Sequence, residues 1–163
     1  MEVTGDFDAV VAAMDTALVV VTVAAEDDRD GCLVGFHSQA SIEPRRYVVW
    51  LSVANRTWRL AERSEQVAVH VLARGQHDLA EHFGGQTGDD VDKLADIPWD
   101  PGPGGVPLLV ACPHRFVGRV IERLGTDGDH VGMVLEPIEV SGEGPRQPLR
   151  LHHADDIEPG HPA

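Results

Sequence analysis

The feature that most constrains the fold of this sequence is a pair of long strand-like stretches separated by a short turn. The stretches occupy residues 115–124 and 130–140, and valine and isoleucine recur in both. The residues between them are Gly125-Thr126-Asp127-Gly128-Asp129, a composition typical of hairpin turns. The pattern therefore predicts a long β-hairpin, which favours an antiparallel sheet.

Two shorter stretches predict a second hairpin earlier in the chain. Residues 17–25 and 32–36 are apolar, and the polar sequence Glu-Asp-Asp-Arg-Asp-Gly at 26–31 separates them. This separating sequence also resembles half of a calcium-binding loop. The last position of such a loop would be His37 in place of the usual glutamate, so a hairpin turn is the favoured interpretation.

Two further strands and three short helices complete the predicted secondary structure. The strands are the nearly continuous apolar run at 46–53, which a short polar run at 37–41 precedes as a loop, and the alternating run at 67–72. Helices are predicted at 7–14 after the N-cap candidate Asp6, at 56–64 after the N-cap candidate Asn55, and at 76–83. Residues 98–107 hold four prolines and three glycines and predict an irregular loop.

This order of elements predicts a mainly β fold with short helices (α+β), built as a predominantly antiparallel barrel. The strands do not alternate with long helices, which argues against a parallel, doubly wound sheet. We expect one barrel domain over residues 1–141. Residues 142–163 are predicted to be a C-terminal extension with one short strand near 148–152 and a loose end.

Composition excludes several classes of function. The formal net charge of −14 disfavours binding to nucleic acid, which requires a basic face. The longest apolar run, 17–25, is too short to span a bilayer, and no leader-like segment precedes it, so we expect a cytoplasmic protein without a membrane partner. Cys32 and Cys112 lie far apart without a metal-binding spacing, which predicts buried free thiols and no metal site.

One window of the sequence departs from the acidic background. Residues 45–74 contain six arginines and two glutamates, a net charge of +4. Local positive potential of this kind attracts small anions such as a phosphorylated cofactor. The predicted helix after Asn55 would add free backbone N–H groups that can face an anion. The alternative is that these arginines are only solvated on an exposed helix face.

Several short motifs follow one another between about residues 5 and 141. They are Gly31, Ser41-x-x-Pro44, Asn55-x-Thr57, the strand at 67–72, Gln76 with Leu79-Ala80 and Phe83, Lys93, Trp99 with Gly-x-Pro-Leu-Leu at 105–109, and Gly128-Asp129-His130. No single motif is specific. Their order and spacing together resemble the flavin reductase-like family, whose fold is an antiparallel split β-barrel that binds FMN or FAD.

The resemblance implies a homodimer with flavin in a groove near the subunit interface. Residues 36–41 would lie along the isoalloxazine ring, 54–57 would hold the ribityl phosphate, and residues 83 and 93 would lie on the phosphate or adenylate side. His130 would be a catalytic residue near the nicotinamide or the flavin ring. The implied cofactor-binding residues are Phe36, His37, Ser38, Gln39, Ala40, Ser41, Ala54, Asn55, Arg56, Thr57, Phe83 and Lys93.

The chain departs from the family pattern where the flavin ring is expected. The family commonly has Thr-x-Asn-Ser at this point, whereas this chain, aligned from Pro44, has Leu33, Gly35 and Phe36. Arg45 replaces the second proline of the family's Ser-x-Ser-x-x-Pro-Pro motif. The polar contacts to the ring are therefore not given by the family pattern.

Two functions agree with the sequence. The first is an oxidoreductase that uses NADH or NADPH to reduce FMN or FAD and supplies reduced flavin to a partner monooxygenase. Hydride transfer itself requires no acid or base, so the lack of a catalytic triad is no objection. The alternative is a protein on the same scaffold that binds flavin, a deazaflavin or haem without turnover, because a shared fold does not fix function. We favour the reductase.

Overall fold

The computed structural model describes residues 1–161 and contains one large antiparallel sheet with short helices around it. The described strands are β1 (Val19–Ala25), β2 (Asp28–Val34), β3 (His37–Ser41), β4 (Arg46–Ser52), β5 (Gln66–Val71), β6 (Trp99–Pro101), β7 (Pro107–Leu109), β8 (Arg115–Gly125) and β9 (His130–Ser141). The helices are α1 (Phe7–Ala13), α2 (Arg56–Ala61) and α3 (His77–Gly84), and short 3-10 turns occur at Pro103–Gly105 and Leu151–Ala154.

Seven strands form the large sheet in the order β2-β1-β5-β8-β9-β4-β3, with every neighbouring pair antiparallel. Both predicted hairpins are confirmed, since β8 pairs with β9 and β1 pairs with β2. The sheet curls so that β2 approaches β4. The fold is therefore mainly antiparallel β with few short helices, as the sequence predicts.

Two clusters of buried side chains cover opposite faces of the sheet. Because successive strand residues point to opposite faces, Val19 and Val21 of β1 enter the first cluster, and Val20 between them enters the second. The first cluster fills the inside of the curl and includes Leu51 of β4. The second lies beneath α3 and includes Phe83. Burial on both faces explains why β1 is almost entirely apolar.

The predicted helix caps are confirmed at α1 and α2. Asp6 accepts a hydrogen bond from the backbone N–H of Ala9, and Asn55 accepts one from the backbone N–H of Thr57. Each cap satisfies an N–H group that the helix itself leaves unpaired. The α2 helix ends at Ala61, earlier than predicted, and packs Leu60 and Ala61 into the first cluster.

Two segments predicted as loops contain strands. Residues 37–41 form β3, because their backbone pairs with β4 in register from His37 opposite Val49. This strand lies at the sheet edge with its side chains largely outside the core, which explains its polar sequence. Within 98–107, β6 pairs with β7, and Gly104 and Gly105 turn the chain between them at positive φ of 67° and 79°.

The described part of the C-terminal segment packs against the second cluster, which differs from the predicted loose end, and residues 162–163 of that prediction lie outside the described residues. The expected strand near 148–152 consists of two single bridges, Ala17 to Arg150 and Ala73 to Pro148. Leu149 is buried in the second cluster and exchanges backbone hydrogen bonds with Leu18 and Leu72. Isolated apolar residues in a polar segment give no periodic pattern, so the sequence concealed this packing. Among the described helices, no segment is long and apolar enough to cross a membrane.

His70 is a fully buried polar residue in the middle of β5. Its Nε2 accepts a hydrogen bond from the backbone N–H of Leu109 at 3.1 Å, which assigns the ring proton to Nδ1. That proton is donated to the carbonyl oxygen of Val20 at 3.0 Å. Loss of solvent lowers the pKa of His70 from 6.5 to about 4, because an imidazolium cation would be poorly solvated there.

This histidine should make the protein less stable in mild acid. Because the folded pKa lies below the unfolded value, the unfolded chain takes up the proton first as the pH falls. We expect the free energy of unfolding to lose on the order of 3 kcal/mol between pH ~6.5 and ~4 through this group. Urea titrations across that range check it. The variant His70→Gln should show a flatter pH dependence, and an unchanged slope would contradict the assignment.

Candidate functional site

A cavity of about 270 Å³ lies where β2, β4 and β9 meet the C-terminal segment. Its floor is apolar and is formed largely by side chains of β2 and β4, among them Cys32, Val34 and Leu51. Two polar residues, Ser52 and Asn55, lie where β4 passes into α2. The cavity is therefore a mainly apolar recess with few polar groups, as small-molecule sites commonly are.

Three rings form the mouth of this cavity. They belong to Phe36 after β2, Trp50 on β4 and His130 at the start of β9. The rings of Phe36 and His130 have centroids 4.9 Å apart, and Phe36 is 54% exposed. The same three residues, with Thr126 and Asp129, also line a shallower hollow. The rings thus stand between an enclosed recess and a more open surface.

Asp129 fixes the orientation of His130. The Nδ1 atom of His130 lies 2.6 Å from Oδ1 of Asp129, and this hydrogen bond holds the pKa of the Asp129 carboxyl below its usual range. Asp129 is consequently a carboxylate at neutral pH, so Nδ1 carries the proton that it accepts. In the neutral ring Nε2 is then left as a hydrogen-bond acceptor.

The two cysteines are buried free thiols, as predicted. Burial raises the pKa of Cys32 to about 11 and that of Cys112 to about 11. Both are therefore protonated at neutral pH, and a protonated thiol is a poor nucleophile. Cys32 lines the floor of the cavity next to the buried hydroxyl of Thr57, so it contributes shape there rather than reactivity.

Of the residues predicted for the site, Phe36, Asn55 and His130 meet at the cavity. His37 lies instead between β1 and β4, with its Nε2 2.6 Å from the carbonyl oxygen of Ala17. The next residues of β3 lie along the exposed sheet edge, where a separate shallow depression forms. That depression contains Gln39, Ala40 and Ser41, and Ser38 is exposed beside it.

Arg56 is engaged by carboxylates instead of facing the cavity. Its guanidinium forms an ion pair with Asp28 and lies 3.5 Å from the buried carboxylate of Asp30. These contacts raise the pKa of Arg56 and lower that of Asp28. The acidic cleft beside them, to which Asp89 also belongs, does not suit a phosphate.

The predicted positive potential of the window 45–74 was therefore wrong. Arg59 pairs with Asp89, and Arg63 pairs with Glu26 at 3.1 Å. The neutralising carboxylates come from the β1–β2 turn and from the loop after α3, which lie outside the window. A charge count over consecutive residues could not include them.

Lys93 and Phe83 lie in the interior. Lys93 is only 1% exposed, and its Nζ donates to the carbonyl oxygens of Gly31 and Phe83, each at 3.0 Å. Phe83 packs in the second cluster. Both are therefore occupied in tying α3 to β2, which corrects the expectation that they contact the cofactor. Ala54 is half-buried in the turn before α2, where its N–H donates to Ser52.

Sequence reasoning missed most of the cavity wall. The apolar floor was assigned only to the core. Leu151, Ala154 and Ile157 line the cavity opposite that floor, whereas Leu151 was assigned to the predicted short strand near 148–152 and the other two to a loose end. Trp50 gave a usable signal, because it is a large aromatic residue near the end of a central strand.

Comparison with known proteins identifies the family of the chain and its relatives. The family described as flavin reductase like domain matches residues 11–158. A reductase subunit of a flavin-dependent monooxygenase from Rhodococcus jostii is 33% identical over 132 residues, which is 77% of this chain and 65% of that protein. An NADH-dependent FMN reductase from Stutzerimonas stutzeri is 26% identical over 115 residues, 71% of this chain and 66% of that protein.

The chain thus spans slightly less than two thirds of the length of either relative. Among solved structures, a flavin reductase domain protein from an Arthrobacter species superposes with a TM-score of 0.76. It is 20% identical, and the match covers 96% of each chain. This likeness extends over the whole sheet and its helices, and the family match extends over most of the sequence. The chain therefore belongs to the flavin reductase like domain family.

Proposed function

We propose that this chain is an NAD(P)H-dependent flavin reductase that binds FMN, or FAD, at the cavity between β2, β4 and β9. The observation that carries the proposal is an apolar recess with Phe36, Trp50 and His130 at its mouth. Membership of the family supports it, as does the similarity to an NADH-dependent FMN reductase. The reductase is favoured over a carrier without turnover because the mouth stays open to a second reactant.

The residues of the cavity fit a flavin ring. Trp50 and Phe36 offer aromatic faces, the floor is apolar, and Asn55 with Ser52 offers polar atoms at one end. The volume of 270 Å³ lies just below the ~300–1,000 Å³ of typical ligand pockets. The enclosed part therefore suits the ring system, and the ribityl phosphate would extend outside it.

A bound flavin supplies the hydride-accepting centre of the reaction. The chain itself contributes position and exclusion of water, which are the main requirements for hydride transfer. Asp129 holds His130 at the mouth through Nδ1, so the histidine can order whatever enters the adjoining hollow. We assign that hollow to the nicotinamide of NADH or NADPH.

Reduced flavin would leave the cavity for a partner monooxygenase. The name of the relative from Rhodococcus jostii, a reductase subunit, supports such a partner. The cytoplasmic location expected from the sequence stays a prediction.

We also propose a homodimer. The apolar face of α1 is turned outward, with Phe7 67%, Val10 62% and Met14 68% exposed. The outer edges of β2 and β3 end the large sheet, and such edges are commonly covered. A second copy that covers these surfaces would lower the exposed apolar area.

The homodimer predicts that light scattering gives a molar mass of about twice 17.6 kDa. A monomer at micromolar concentration would contradict this.

The catalytic proposal predicts that FMN-dependent oxidation of NADH requires His130. We expect His130→Ala to lower the rate at least about tenfold, because a reactant at the mouth loses its ordering group. Absorbance at the NADH band measures the rate. His114→Ala is the matched control, since His114 accepts backbone hydrogen bonds near residues 143–144, away from the cavity. FMN binding without any NADH or NADPH oxidation would instead indicate the carrier.

The placement of the ring predicts different effects at Trp50 and Arg56. Trp50→Leu should weaken FMN binding about tenfold, or ~1.4 kcal/mol, through lost aromatic contact. Arg56→Ala should change the FMN dissociation constant less than about threefold, because the ion pairs with Asp28 and Asp30 already occupy this guanidinium. Calorimetric titration measures both. A large loss of FMN affinity in Arg56→Ala, with no loss in Trp50→Leu, would instead place the flavin site at the start of α2.

A further inference from the structure

The outer wall of the cavity is a segment held in place by partly buried apolar residues and exposed ion pairs. Residues 151–160, which we call the strap, follow Leu149, which is buried in the second cluster, and the apolar residues of the strap pack against that cluster from outside. Leu151, Ala154 and Ile157 of the strap line the cavity opposite the floor that includes Cys32. All three are only partly buried.

Two histidine–aspartate pairs attach the strap to the rest of the protein. His152 pairs with Asp15, in the turn between α1 and β1, and its backbone N–H donates to the same carboxylate at 2.9 Å. On the opposite side, Asp156 of the strap accepts a hydrogen bond from His77 of α3 at 2.8 Å. Backbone hydrogen bonds add a contact near each end, from Leu151 N–H to Thr16 and from Gly160 N–H to Gly84.

These attachments differ in kind from those of the cavity floor. The floor residues belong to β2 and β4. Backbone pairing with neighbouring strands and burial in the first cluster hold them in place. The strap is held by exposed ion pairs, which contribute little to stability, and by three apolar side chains that are only partly buried against the second cluster. Opening the strap therefore costs much less free energy than unfolding the sheet, so the two events can occur separately.

We propose that the strap is a gate that swings out beyond Leu149 to admit the flavin ring and closes to form the outer wall of its site. The inference rests on the proposed function for the identity of the ligand, whereas the opening itself is a property of the chain alone. It also explains the size of the enclosed space, because the closed strap limits the cavity to the ring system. The His77–Asp156 and His152–Asp15 pairs are the latches of this gate.

Cys32 provides a reporter of opening that is independent of flavin. It lines the cavity and is 2% exposed, so outward movement of the strap should raise the rate at which a thiol reagent reaches it. In a Cys112→Ser background, labelling by a small neutral maleimide at constant pH reports on Cys32 alone. We expect His77→Ala/His152→Ala to accelerate labelling about tenfold, equivalent to ~1.4 kcal/mol for two exposed pairs.

The matched control is Arg63→Ala/Arg119→Ala, which removes two exposed ion pairs away from the strap, with Glu26 and Glu136. Equal labelling rates in the control and latch variants would overturn the gate. In a chain that ends at residue 150, Cys32 should be labelled fastest. If that shortened chain does not fold, the labelling rate of the full-length His77→Ala/His152→Ala variant decides whether the strap is a gate. Urea unfolding of each variant separates opening of the strap from global unfolding.

Flavin addition separates this inference from the proposed function. Saturating FMN should slow Cys32 labelling in the Cys112→Ser protein, and the latch variant should bind FMN with a faster association rate. Accelerated labelling without FMN protection would show that the strap opens but that the cavity is not the flavin site, which would overturn the gate's assigned ligand. FMN protection with no latch effect would support the site and overturn the gate.

Discussion

Burial of β1 on both faces is the constraint on which the rest of the structure depends. Val19 and Val21 contribute to the inside of the curled sheet, and Val20 contributes to the layer beneath α3. Fully burying a side chain of this size is worth ~1.5–3 kcal/mol relative to leaving it exposed. One strand therefore stabilises both layers, and its neighbours β2 and β5 are fixed in register on either side of it. The apolar floor of the cavity follows from that register.

Local patterns were sufficient for most of the sheet. The glycine- and aspartate-rich turn before His130, the alternating run at 67–72 and the cap at Asn55 are decided by neighbours in sequence, and the structure confirms all three. The failures share one physical cause, which is that the deciding partner lies far away along the chain. The β3 strand is polar yet pairs with β4, and Leu149 is isolated in sequence yet packs in the core.

The candidate site shows the same division. Phe36, Asn55 and His130 were placed through the family resemblance, and the fold brings these three residues together at the cavity. Arg56 was assigned from the same resemblance and from a charge window, but the carboxylates of Asp28 and Asp30 arrive from a separate hairpin. The local electrostatic potential of a folded protein depends on which charged groups are neighbours in space. A window of sequence therefore identifies the arginines but not the carboxylates that pair with them. The C-terminal wall depends on contacts between the two ends of the chain.

Lys93 shows how the attachment of the cavity floor differs from that of the strap. A buried ammonium group is costly unless hydrogen bonds replace its hydration, and here the carbonyl oxygens of Gly31 and Phe83 accept them. Gly31 must approach closely, because a Cβ there would lie 3.0 Å from the carbonyl oxygen of Val21 and 3.1 Å from the ring of Phe83. This lysine therefore joins β2 to the end of α3 through interactions that water cannot easily replace. The strap attaches instead to the start of the same helix, through the exposed pair of His77 with Asp156, so the proposed gate would open against a rigid floor.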